Sequence, residues 1–163
     1  MGRARQGTAT PALAALVAAG ISFVPRPYEH DERVTAFGDE AASALGVPPE
    51  RVFKTLLTQV DDAPVTAVVP VSGSLDLKAL AHVLRARRAV LADPATAQRR
   101  TGYVLGGISP LGQRRPTPVV LDDSAMSHAS ILVSAGRRGL DVELAPADLV
   151  AVTRAGLAPI AGP

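Results

Sequence analysis

Apolar and polar positions along this chain follow two periods, and the switches between them mark its elements. Behind Thr10-Pro11, a good N-cap and first-turn pair, residues 10–19 place Ala and Leu at helical spacing until Gly20 stops the run. The same spacing predicts helices over 36–45, ended by Gly46, and over 75–87, with Leu77, Leu80, Ala81 and Leu84 on one face. Two more are predicted from Asp93-Pro94 to Arg100, before Gly102, and from Pro146 to Arg154. Residues 23–30 read as a short strand kinked by Pro25 and Pro27, which belongs at a sheet edge. Strands are also predicted over 52–60 and 65–71, separated by a turn at 61–64, and over 118–121 and 130–134. A brief strand over 103–105 runs into the Gly106-Gly107 turn, and a hairpin turn over 135–139 leads to a return strand over 140–144. The pattern describes one α/β domain over 9–163, with about six or seven strands in a partly antiparallel sheet. Residues 1–8 form a basic tail in front of it.

Composition narrows this picture. Aromatic residues are 3% of the chain, so the core is aliphatic, and there is no cysteine for a disulfide or a thiolate metal site. The three histidines, His30, His82 and His128, are not spaced as a metal pair, and no metal or cofactor is expected. No apolar run reaches membrane-spanning length. The opening segment, arginines before an alanine-rich run, resembles a signal peptide in outline, but the capped helix over 10–19 accounts for it. A reducing cytoplasm is the expected setting. Arginines number fifteen against two lysines, and they form four adjacent pairs at 87–88, 99–100, 114–115 and 137–138. Such pairs suit a phosphate backbone, and they equally suit helix C-termini and solvated surfaces.

The rarity of lysine makes Lys54 conspicuous, because it sits among Val52, Phe53, Leu56 and Leu57, where a cation is costly. A compact ammonium fits a narrow pocket as a point charge, so Lys54, followed by Thr55, either lines a sheet-borne pocket or snorkels from an edge strand. Gly106-Gly107-Ile108-Ser109-Pro110 is the second candidate. Its glycines allow close backbone approach, and its amides could hold a carbonyl or phosphate oxygen, or it is an ordinary tight connection. Asp141 enters an apolar strand after a glycine turn, where it either orients an amine or ribose hydroxyl or makes a surface salt bridge. No P-loop, dinucleotide fingerprint or GxSxG elbow is present, and no Ser–His–Asp set can be assembled.

Six ordered blocks carry a resemblance across residues 10–160: YEHD (28–31), FGDEAA (37–42), VFKTLL (52–57), LDLKALA (75–81), ADPATAQRRTGYVLGGISPLGQRR (92–115) and SAGRRGLDVELAPADL (134–149). They resemble the YbaK family of bacterial aminoacyl-tRNA deacylases, of the Cys-tRNA(Pro) deacylase type, which is similar to the editing domain of bacterial prolyl-tRNA synthetases. The resemblance implies a curved, barrel-like mixed sheet surrounded by helices. It implies hydrolysis, in trans, of the ester between a non-cognate amino acid and tRNA(Pro), with a prolyl-tRNA synthetase as a further partner. It carries over Tyr28, Lys54, Gly106 and Asp141 as the catalytic set, with Thr55, Gly107, Ile108, Ser109, Pro110 and Ser134 binding substrate. In the implied mechanism the thiol of the mischarged cysteine attacks its own ester, so the protein needs no nucleophile. A sister deacylase for alanine or another small amino acid, and a non-catalytic tRNA- or synthetase-binding module, are the alternatives.

Overall fold

The computed structural model describes residues 9–163; the tail expected over 1–8 lies outside the described residues. In chain order they form α1 (Pro11–Ala18), β1 (Val24–Pro27), α2 (Phe37–Leu45), β2 (Phe53–Val60), β3 (Ala63–Pro70), β4 (Ser74–Leu75), α3 (Leu77–Val83), β5 (Ala89–Leu91), α4 (Pro94–Thr101), β6 (Val119–Asp122), β7 (Ile131–Arg137), β8 (Leu140–Leu144), α5 (Pro146–Thr153), β9 (Gly156–Ala158) and β10 (Ala161–Gly162). Local chemistry sets the helix ends. Thr10 Oγ1 accepts the Leu13 amide at 3.1 Å, and Asp76 and Asp93 cap α3 and α4 in the same way. Gly46 and Gly102 close α2 and α4 in the left-handed conformation.

The strands form three sheets. The largest runs β5-β2-β3-β6-β9, the second β1-β8-β7, and the third is the β10-β4 pair. β3–β6 and β6–β9 are parallel and the other pairs antiparallel, so the mixed sheet holds, but among the described residues no pairing closes a barrel. The two larger sheets meet where Val52, at the foot of β2, bridges Leu132 of β7 in parallel. One core fills the space between α1, the three-stranded sheet and one face of the five-stranded sheet, through Leu16, Phe53, Val68, Ile131 and Val142. A second core lies on the other face, where Leu80 of α3 packs on Ala67, Val69 and Ile160. Burial on both faces explains why β3 reads as a continuous apolar run rather than an alternation.

Several expectations change. The helix expected over 75–87 keeps only Leu77–Val83, because Leu75 pairs with Ala161 in a strand and Arg85 turns left-handed at φ 55°. Residues 103–105 are not a strand. Tyr103 is buried instead, its hydroxyl donating to the Leu111 carbonyl at 2.7 Å, which ties the loop after α4 to itself. β7 continues to Arg137 through an irregularity after Ser134, so the hairpin turn is tighter than 135–139. Proline-kinked β1 lies at a sheet edge, as its missing amides require.

Candidate active site

The site forms where β2 loses a neighbour. β3 pairs with all of β2 on one side, whereas β5 covers only Thr58, Gln59 and Val60 on the other. The Leu57 carbonyl still accepts the Ala92 amide at 3.0 Å. By alternation along the strand, the Thr55 peptide groups face the same uncovered edge. Along that edge opens a cavity of about 520 Å³, within the range of small-molecule sites.

Seven of the ten residues singled out from the sequence line this cavity: Tyr28, Lys54, Thr55, Gly106, Ile108, Ser134 and Asp141. They come from β1–α2, β2, the glycine turn, β7 and β8, so the fold assembles what the sequence scatters. Lys54 is half-buried, and among the described residues no carboxylate is in ion-pair range of it. Thr55 is buried, and its hydroxyl has no hydrogen-bond partner among the described residues. Ser134 and Asp141 stand opposite each other on the β7–β8 ladder, and Arg26 stands opposite Asp141 on the β1–β8 ladder. Burial pushes the Asp141 carboxyl up to about 7, opposed by the Arg26 charge. Burial, and then the negative charge of Asp141, push the Tyr28 phenol up to about 12.

Gly107, Ser109 and Pro110 do not line the cavity. The Gly107 amide is taken by the Val104 carbonyl at 2.9 Å, and a side chain there would meet the Arg137 backbone at 2.8 Å. The Ser109 hydroxyl accepts the Leu111 amide at 3.2 Å and its carbonyl accepts from Gln113 at 3.0 Å. These three residues brace the turn from behind, while Gly106, at φ 83°, faces the cavity.

The sequence did not flag Phe37. Its ring lies 2.6 Å from where a side chain at Gly106 would begin, and the Arg138 guanidinium sits 5.0 Å over it. Arg138 Nε also donates to the Leu105 carbonyl at 2.7 Å, so this arginine clamps the glycine turn and does not face outward as a phosphate contact would. The helical spacing predicts an element over 36–45, but the stack itself joins residues about a hundred positions apart and leaves no local signal. His30 Nδ1 lies 2.6 Å from Glu40, which fixes the loop before α2. Among the described residues no group of three or more His, Asp or Glu could hold a metal.

The sequence pattern of the aminoacyl-tRNA editing domain matches residues 31–152. The chain belongs to that family. This editing domain is 37% identical, over 75% of both chains, to EbsC of Enterococcus faecalis, which is provisionally named a Cys-tRNA(Pro)/Cys-tRNA(Cys) deacylase. It is 33% identical to part of the proline–tRNA ligase of Nitratidesulfovibrio vulgaris, with 74% of this chain matching 20% of the ligase. Two solved structures share the fold. One, described as hypothetical protein APE2540, superposes with a TM-score of 0.85 at 23% identity over 94% of this chain and all of that one. The other, provisionally described as a trans-editing enzyme for prolyl-tRNA synthetase, gives 0.82 at 22% identity over 94% and 96%. The editing domain is an enzyme of the aminoacyl-tRNA deacylase class, an ester hydrolase. Among its described residues, no helix is long and apolar enough to cross a membrane.

Proposed function

We propose that this chain deacylates Cys-tRNA(Pro) in trans, with Lys54, Gly106, Asp141 and Tyr28 around the reacting ester. The observation that carries the reading is the convergence of those four side chains and backbone groups on one cavity that contains neither histidine nor cysteine. A pocket of that composition suits a substrate that brings its own nucleophile. The cysteine thiol attacks its ester carbonyl carbon and a C–S bond forms. The bond to the terminal ribose oxygen then breaks and that oxygen takes the proton, leaving a cysteine thiolactone and free tRNA. The protein's work is positioning. Lys54 meets the carbonyl oxygen or terminal phosphate as a point charge, and the backbone at Gly106 supports the developing oxyanion. Asp141 and Tyr28 orient the amine or ribose, with Thr55, Ile108 and Ser134 closing the pocket and Gly107, Ser109 and Pro110 holding the turn.

The similarity to a segment of a proline–tRNA ligase supports a prolyl-tRNA synthetase as the protein that supplies the mischarged tRNA, and the cytoplasm, where tRNA is charged, as the place of action. The test compares deacylation of Cys-tRNA(Pro) and Ala-tRNA(Pro) by wild type and Lys54→Ala. Fast, lysine-dependent loss of cysteine alone is the expected result. Loss of alanine instead would make the chain a sister deacylase for a small amino acid. Loss of neither would leave a tRNA- or synthetase-binding module.

A further inference from the structure

Three of the four arginine pairs meet on one side of the fold. Arg99 and Arg100, in the last turn of α4, line a cleft of about 350 Å³ with Arg114 and Arg115 from the loop that follows. Arg87 and Arg88 line a second cleft of about 560 Å³, and Gln59 and Asp62 border both. The backbone holds the first four cations together: the Arg114 amide donates to the Thr101 carbonyl at 2.9 Å, and the Arg115 amide to the Arg100 carbonyl at 3.0 Å. Crowding like charges is unfavourable unless something negative joins them.

Among the described residues no ion pair does so, although the Asp93 carboxylate at the start of α4 feels the Arg99 charge. Ion pairs there engage Arg26, Arg33, Arg51 and His30, and none of these six arginines. Two carboxylates border the clefts, Asp61 and Asp62. That of Asp61 is occupied by the Arg87 and Arg88 backbone amides at 3.0–3.2 Å. Arg100 Nε is buried with no hydrogen-bond partner among the described residues, a donor they leave unsatisfied.

The place of this cationic face identifies its ligand. Pro94 and Ala97 of α4 line the Lys54 cavity, while Thr96, Arg99 and Arg100 of the same helix line the arginine cleft. One helix, about 10–12 Å across, therefore separates the two sites. We propose that the arginine face grips the sugar-phosphate backbone of the RNA whose 3′ end enters the Lys54 cavity, a proposal that rests on the editing function above. Guanidinium forks match phosphate oxygens in pairs. No aromatic side chain lines either cleft, so bases are not stacked there and contact is with the backbone, without sequence readout.

The test uses the exposed arginines in the double variant Arg99→Gln/Arg115→Gln. Binding of an uncharged tRNA(Pro) transcript is followed by fluorescence anisotropy across a salt series. In parallel, kcat/KM is measured on full-length Cys-tRNA(Pro) and on 3′-cysteinyl-adenosine, which has no phosphate chain. The expected result is Kd for tRNA raised about tenfold or more, and a salt slope shallower by about two. The ratio of kcat/KM on the full-length substrate to that on the adenosine ester should fall by a similar factor, with the melting temperature unchanged. Wild-type affinity and salt slope in the variant would overturn the proposal. If wild type cleaves neither ester, the editing reading fails, while the anisotropy arm still decides the arginine face.

Discussion

Arg26 stands directly across the β1–β8 ladder from Asp141, yet its guanidinium reaches along the strand to Glu143, Nη1 to Oε1 at 2.5 Å. Glu143 also receives Arg51 at 2.9 Å and the Ser130 hydroxyl at 2.5 Å, so it anchors the outer end of this ladder. Asp141 is left 5% exposed with a cation nearby but no ion pair among the described residues. Burial therefore dominates, and its carboxyl rises to about 7.

This gives stability a sign with pH. The folded value of Asp141 lies above its unfolded value of about 4, so the folded chain holds this proton more tightly. Its contribution is full below about pH 4 and is lost as pH rises to about 7, a change of a few kcal/mol, on the order of 3–4. The Glu143 carboxyl is lowered, chiefly by the Ser130 hydrogen bond, and works in the opposite direction, so the total profile mixes both. Urea denaturation of wild type against Asp141→Asn isolates the term. The variant should be more stable than wild type above neutrality, with the difference vanishing in acid.

Lys54 carries a second prediction. Its same-face neighbour on β2, Leu56, is apolar and its ammonium forms no ion pair among the described residues, so removal should cost the fold little. Lys54→Ala should lower kcat/KM for deacylation by about a hundredfold, the scale of a lost oxyanion-type contact. Lys54→Arg should not restore it, because the guanidinium is wider and carries its charge in a plane. Thermal melts within a few degrees of wild type, beside single-turnover rates, check both halves. An active Lys54→Arg would mean that only net charge matters there.

What the sequence revealed follows from range. Caps, stops and periods are local, so α1, α2, α4, β2, β6 and β8 fall close to their predicted spans. The two-residue strands β4 and β10 exist only through each other, and β5 and β9 gain their identity from β2 and β6, which no window of sequence displays. The site divides in the same way. Lys54 stood out because of the chain's bias toward arginine, and Gly106 because of the paired glycines. Phe37 and Arg138 act through each other and the glycine turn across long separations, so their contact had no local signal, although Arg138 was noted as half of an arginine pair. Without the packing of Gly107 on the Arg137 backbone in view, the two glycines also looked alike, although only one faces the cavity.

That difference between the glycines predicts separable effects. A methyl at Gly106 meets the Phe37 ring at 2.6 Å and forces a side chain into a left-handed backbone at φ 83°. Gly106→Ala should destabilise by about 1–3 kcal/mol and remove activity. Adding Phe37→Ala should restore part of the stability, because the clash is with a side chain, and should restore no activity if the ring also forms the pocket wall. A methyl at Gly107 meets the Arg137 Cα at 2.8 Å, which cannot be trimmed away. Gly107→Ala should therefore resist rescue by any side-chain truncation nearby. A double-mutant cycle by thermal denaturation reads the coupling directly.

Thr55 offers the opposite trade. Its hydroxyl is buried without a hydrogen-bond partner among the described residues, an arrangement that costs about 1–3 kcal/mol and that most interiors avoid. The residue sits beside Lys54, on the stretch of β2 whose far edge β5 does not cover, and it lines the cavity. Thr55→Val keeps the shape and removes the orphan oxygen. If the group is kept for the reaction, the variant should melt a few degrees higher, at about 2–4 °C per kcal/mol for a chain of this size. It should also lose about tenfold in kcat/KM, the pattern of a site that holds strain for function. A gain in stability with full activity would make the hydroxyl incidental to the chemistry, and a loss of stability would mean that it has a partner in solution.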